Sequence, residues 1–121
     1  MSESRKISVI LKGQAREEFE KLNEIVGEQT KRGETNSEEM QLLKSIKQKA
    51  EILKINPTYG EKIPQNLIPK QLDVSNLFKV NLTGYWRMLY TIEGNRIEIV
   101  VFVLWVIDHP AYDKMLGYKK K

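Results

Sequence analysis

The feature that most limits what this chain can become is the apolar run from Ile99 to Ile107, IVVFVLWVI, which stops abruptly at Asp108-His109-Pro110. It is far shorter than the roughly 18 to 20 residues that a bilayer-spanning helix needs, and it is rich in β-branched residues. A strand with apolar side chains in both phases must be covered on both faces, so it is expected in the interior of a sheet. The rest of the chain then has to supply neighbouring strands and covering layers.

The neighbours are legible. The fourth strand is expected from Arg96 to about Ile107, and the turn Glu93-Gly94-Asn95 joins it to a third strand from about Tyr85 to Glu93. In that strand Trp86, Met88, Tyr90 and Ile92 share one face, and Tyr85, Arg87, Leu89 and Thr91 the other. Before it, Leu77 to Thr83 alternates as a second strand, with Phe78, Val80 and Leu82 opposite Lys79, Asn81 and Thr83. A first strand over residues 5–12 alternates around Ile7, Val9 and Leu11.

The cover comes from two amphipathic segments. Ala15, Phe19, Leu22 and Val26 form one stripe over residues 14–28, and Met40, Leu43, Ile46, Ala50 and Leu53 form another from about Ser37 to Leu53. Between them lies a polar turn in which Asn36 and Glu39 resemble a capping box, with Ser37 as the competing cap. Residues 56–73 hold three of the four prolines, which predicts an ordered irregular connection packed down through Ile63, Leu67, Ile68 and Leu72. After the long strand, HPAYDKMLGYKKK is expected as a short helix or turn with a basic tail. The sum is one α+β domain over residues 1–121, a helical hairpin on a mostly antiparallel four-stranded sheet in the order β-α-α-β-β-β.

Composition narrows the function. With no cysteine, thiolate chemistry and disulfide frameworks are excluded, and no signal or membrane segment is apparent, so a cytoplasmic protein is expected. The net charge of +4 is unevenly spread: −2 over residues 1–43, +5 over 44–87 and +1 over 88–121. Basic segments of this kind favour polyanions, although a solvated lysine surface gives the same pattern.

The only histidine stands at the end of the long apolar strand, and the strands before it carry the cations Lys79 and Arg87. His109 can act as acid or base because an unperturbed imidazole titrates near about 6.5. Arg87 offers a fork suited to phosphate, or it pairs with Glu98 across the hairpin. Tyr112, on the same face as His109 if the segment is a helical turn, can hydrogen-bond a phosphate, stack on a base or donate a proton, or else it packs against Trp105 or Leu116. Asp108 and Asp113 beside His109 lack the carboxylate set that a hard cation prefers, so neither a metal nor another cofactor is expected.

Taken together, the element order and four motifs resemble the RelE/ParE superfamily of toxins from toxin–antitoxin pairs. The motifs are Gly84-Tyr85-Trp86-Arg87-Met88-Leu89-Tyr90, the hairpin leading into the long apolar strand, His109-Pro110-Ala111-Tyr112, and Lys79. The resemblance implies a metal-free endoribonuclease of the RelE-like branch that cleaves mRNA, often on the ribosome, by 2′-hydroxyl attack. It implies catalytic roles for His109, Arg87, Tyr112 and Lys79. Lys114, or the terminal Lys119, Lys120 and Lys121, can hold flanking phosphates of such an RNA, and Asn81, a further candidate contact, stands where some members have a second lysine. A cognate antitoxin is the implied protein partner. The alternatives are a ParE-type inhibitor of DNA gyrase and a toxin-fold module that binds RNA, a ribosome or a protein without catalysis.

Overall fold

The structure, a computed structural model, describes residues 6–95 and 98–117. The elements follow in the order β1 (Lys6–Leu11), α1 (Gly13–Lys31), α2 (Glu38–Ile55), β2 (Glu61–Lys62), β3 (Phe78–Asn81), β4 (Trp86–Gly94), β5 (Glu98–Asp108) and α3 (His109–Leu116). Two short 3-10 turns, Gln65–Leu67 and Lys70–Leu72, lie between β2 and β3. Among the described residues no helix is long and apolar enough to cross a membrane.

The sheet has five strands in the order β1-β5-β4-β3-β2 and is mixed, which corrects the expectation of four. The added strand, β2, comes from the proline-rich connection, where only two residues between Pro57 and Pro64 pair with β3. The parallel pairing is β1 with β5, in register from Lys6 against Glu98 to Leu11 against Val103. A parallel neighbour requires a long connection, and the chain from α1 through β4 separates β1 from β5. β5 thus lies between β1 and β4, in the interior position that its apolar run demands.

Both faces of the sheet are covered. Ala15, Leu22, Leu43, Ile46 and Leu53 of the helices pack on Val80, Met88, Tyr90, Val101, Val103 and Val106. On the other face Leu89 and Ile107 pack with Ile63 and Leu77 from the connection and with Tyr112 and Leu116 of α3. One irregularity reconciles these two lists. Leu89 pairs with Trp105 but Tyr90 pairs with Val103, so Leu104 is an extra residue in β5. This bulge reverses the phase of the strand, and Val106 faces the helices while Ile107 faces away.

Side chains close the ladder ends. Where β1 stops, the Gln14 amide accepts from the Val106 amide at 2.8 Å and donates to the Val106 carbonyl at 2.9 Å, continuing the edge of β5. Asn76 does the same for β4, accepting from the Ile92 amide at 2.8 Å and donating to its carbonyl at 3.0 Å. In the turn between the helices, Ser37 is the cap, accepting from the Met40 amide at 3.0 Å. Glu39 does not reach back as a capping box would. It accepts from the buried Gln29 amide at 2.9 Å, and that hydrogen bond holds its carboxyl below the usual range.

Candidate functional site

The register of β3 against β4 sets Lys79 opposite Leu89 and Asn81 opposite Arg87. Strand alternation turns these four side chains away from the helical hairpin, onto the face that α3 crosses. α3 begins there because Asp108 caps it, accepting from the Ala111 amide at 3.0 Å, and because Pro110 in its first turn needs no donor partner. The helix spacing then places His109 and Asp113 one turn apart.

Arg87 Nη2 lies 3.2 Å from His109 Nδ1, and His109 Nε2 lies 3.3 Å from Asp113 Oδ2. A guanidinium has only donors, so Nδ1 must accept and the ring proton of the neutral imidazole sits on Nε2, on the side that faces the Asp113 carboxylate. The three side chains form a directed chain, Arg87 to His109 to Asp113. Arg87 is fixed further by donation from Nη1 to the Trp86 carbonyl at 3.1 Å. Its Nε is buried without a hydrogen-bond partner among the described residues. Arg87 stands opposite Ile107, at the far end of the hairpin from Glu98, so the alternative of an Arg87–Glu98 pair is overturned.

Lys79 lies alongside. Its Nζ is 3.0 Å from Glu61 Oε1 and 5.4 Å from the centre of the Tyr112 ring. Tyr112 is buried and packs with Trp105, Leu116 and Leu89. The packing role weighed for it is therefore the one that its surroundings display, with its ring face under the lysine. The β3 cation is held between an aromatic face and a carboxylate that is 72% exposed.

The structure thus brings Arg87, His109, Lys79 and Tyr112 to one side of the sheet. Asn81 lies exposed at the end of β3, and Lys114 lies exposed in the last turn of α3. Lys119, Lys120 and Lys121 fall outside the described residues. Two acidic partners do not stand out as such in the sequence. Asp113 reads there as a metal ligand, and its spacing of four from His109 signals the contact only once the segment is known to be a helix. Glu61 reaches Lys79 only because β2 forms, and nothing in the proline-rich stretch signals a strand. Among the described residues no group of three or more His, Asp or Glu is arranged to hold a metal ion. Compared with protein-family models, with curated proteins and with solved structures, the chain matches none.

Proposed function

We propose that this chain is a RelE-like toxin of a toxin–antitoxin pair, an endoribonuclease that cleaves mRNA on the ribosome by 2′-hydroxyl attack. The observation that carries the proposal is the chain from Arg87 through His109 to Asp113, with Lys79 on the same face. The five-stranded sheet with a helical hairpin on one face is compatible with such a toxin fold.

The arrangement supplies each requirement of RNA transesterification. An incoming phosphate is a stronger acceptor for Arg87 than a neutral imidazole nitrogen, so binding draws the guanidinium off His109 Nδ1. The exposed nitrogen then takes the proton of the 2′-hydroxyl while Asp113 holds the Nε2 proton and stabilises the imidazolium. The 2′-oxygen bonds to phosphorus and the bond from phosphorus to the 5′-oxygen breaks. Arg87 and Lys79 neutralise the extra charge, and the Lys79 ammonium delivers a proton to the leaving oxygen. The products are a 2′,3′-cyclic phosphate and a 5′-hydroxyl. Tyr112 seats Lys79 and holds α3 on the sheet. The cognate antitoxin would mask this face or compete for its cations.

Expression of the wild type and of His109→Ala in a bacterial host tests the proposal. Growth arrest with loss of mRNA, abolished by the substitution, is expected. Arrest with intact mRNA and DNA damage would instead mark a gyrase inhibitor, and no arrest would mark a binding module.

A further inference from the structure

A cleft of about 470 Å³ opens at the edge of β3, lined by Lys49, Tyr59, Glu61, Lys79 and Asn81 among others. It exists because β2 pairs only with Phe78 and Lys79, leaving the outer edge of β3 uncovered toward Asn81. Tyr59 is 48% exposed there, on a segment with little freedom to move. The Tyr59 amide donates to the Asn56 carbonyl at 3.0 Å, and the Tyr90 hydroxyl donates to the Pro57 carbonyl at 2.8 Å and accepts from the Gly60 amide at 2.9 Å. Gly60 fits only without a side chain, since a Cβ would lie 2.7 Å from the Lys79 carbonyl oxygen.

With its backbone pinned, a solvent-facing ring loses less freedom when a flat partner stacks on it than one on a mobile loop would. Here the ring shares its cleft with two lysines and an amide. That combination of stacking surface, cations and a hydrogen-bonding side chain suits one splayed nucleotide of a single strand. Lys79 belongs both to this cleft and to the candidate catalytic group, so it links the two sites.

We propose that this cleft is a nucleotide subsite flanking the scissile phosphate. Tyr59 stacks on the base, Lys49 neutralises a backbone phosphate and the Asn81 amide bonds the base edge. The inference rests on the endoribonuclease reading above and identifies where its single-stranded substrate is gripped.

The test measures binding of a short, dye-labelled, fully 2′-O-methylated single-stranded RNA by fluorescence anisotropy, alongside cleavage of all-ribose mRNA with ribosomes. Tyr59→Ala is expected to weaken binding about tenfold, within the range that loss of base stacking gives. Tyr59→Phe, which keeps the ring, should bind like the wild type. Lys49→Ala should lower the slope of log affinity against log salt by roughly 0.7, the value for one phosphate contact on a single strand. If Tyr59→Ala binds like the wild type while His109→Ala abolishes cleavage, the subsite is overturned and the nuclease stands. Ring-dependent binding without cleavage supports Tyr59 as a stacking site for single-stranded RNA and overturns the nuclease, and with it the subsite's place beside a scissile phosphate. Equal loss in Tyr59→Ala and Tyr59→Phe, or no binding by the wild type, overturns the subsite.

Discussion

Arg87 Nη2 and His109 Nδ1 lie 3.2 Å apart, and the contact allows only one neutral tautomer of the imidazole, with its proton on Nε2 facing Asp113. The pairing follows from the fold. Arg87 stands on the outer face of β4 opposite Ile107, two residues before His109 opens α3.

The first prediction concerns that tautomer. Nitrogen NMR of His109 in the free protein should show the Nε2-protonated neutral form at alkaline pH. In Arg87→Met the Nδ1-protonated form should become populated, because nothing then obliges Nδ1 to accept. Cleavage should fall by about 100-fold or more in Arg87→Met, of the order seen when one preorganised charge-stabilising donor is removed. An unchanged tautomer in the variant would mean that Asp113 alone orients the ring. To separate the two, Asp113→Asn should slow cleavage while leaving RNA affinity near the wild-type value.

Glu61 supplies the second. It neutralises Lys79 at 3.0 Å but is itself 72% exposed, so the pair contributes at most about 1 kcal/mol and a phosphate can displace it. Glu61→Gln should therefore bind RNA more tightly, by roughly two- to fivefold at low salt, with the gain shrinking as salt rises. Affinity measured across a salt series decides this. A loss of affinity would show that Glu61 holds Lys79 in a productive position.

The third lies in the scaffold. Gln14 carries both backbone groups of Val106 just beyond the bulge at Leu104. Gln14→Ala leaves a part-buried amide and carbonyl without partners, which should cost about 1–3 kcal/mol in denaturant unfolding. Gln14→Glu keeps the acceptor but loses the donor, and should fall between the two. If the alanine variant is as stable as the wild type, water replaces the glutamine at this edge.

Much of this arrangement was legible in the sequence, for reasons visible in particular residues. The run from Ile99 to Ile107 announces an interior strand, and both helices follow from stripes of period near 3.6. Convergence of Arg87 and Lys79 with His109 required knowing which strands pair, and only the resemblance supplied that. Two residues of β2 carry too little pattern to be seen between prolines. The bulge at Leu104 is silent because every residue around it is apolar, so a change of phase leaves no mark. The parallel pairing of β1 was hidden as well, since alternation around Ile7, Val9 and Leu11 fixes faces but not neighbours.

Tyr90 gives the last prediction. Burial pushes its phenol up to about 12, against about 10 for an exposed tyrosine, although the Gly60 amide donating to its oxygen opposes the rise. The folded chain therefore holds this proton more tightly than the unfolded chain does. The resulting stability is fully present below about pH 10 and is lost as pH climbs toward 12, at about 1.4 kcal/mol per pH unit. Lysines and the other tyrosines add their own slopes, so the comparison is with Tyr90→Phe. At neutral pH that variant should be less stable by about 1–3 kcal/mol, because the Pro57 carbonyl and the Gly60 amide both lose their partner. Between pH 10 and 12 the gap should narrow, since only the wild type has a phenol to ionise. Denaturant unfolding of both proteins across that range, with tyrosinate absorbance followed in parallel, reads out the difference. A gap constant with pH would mean that the phenol ionises alike in the folded and unfolded chains. The same hydrogen bonds hold the segment carrying Tyr59, so Tyr90→Phe should also weaken RNA binding at neutral pH, where the fold itself persists.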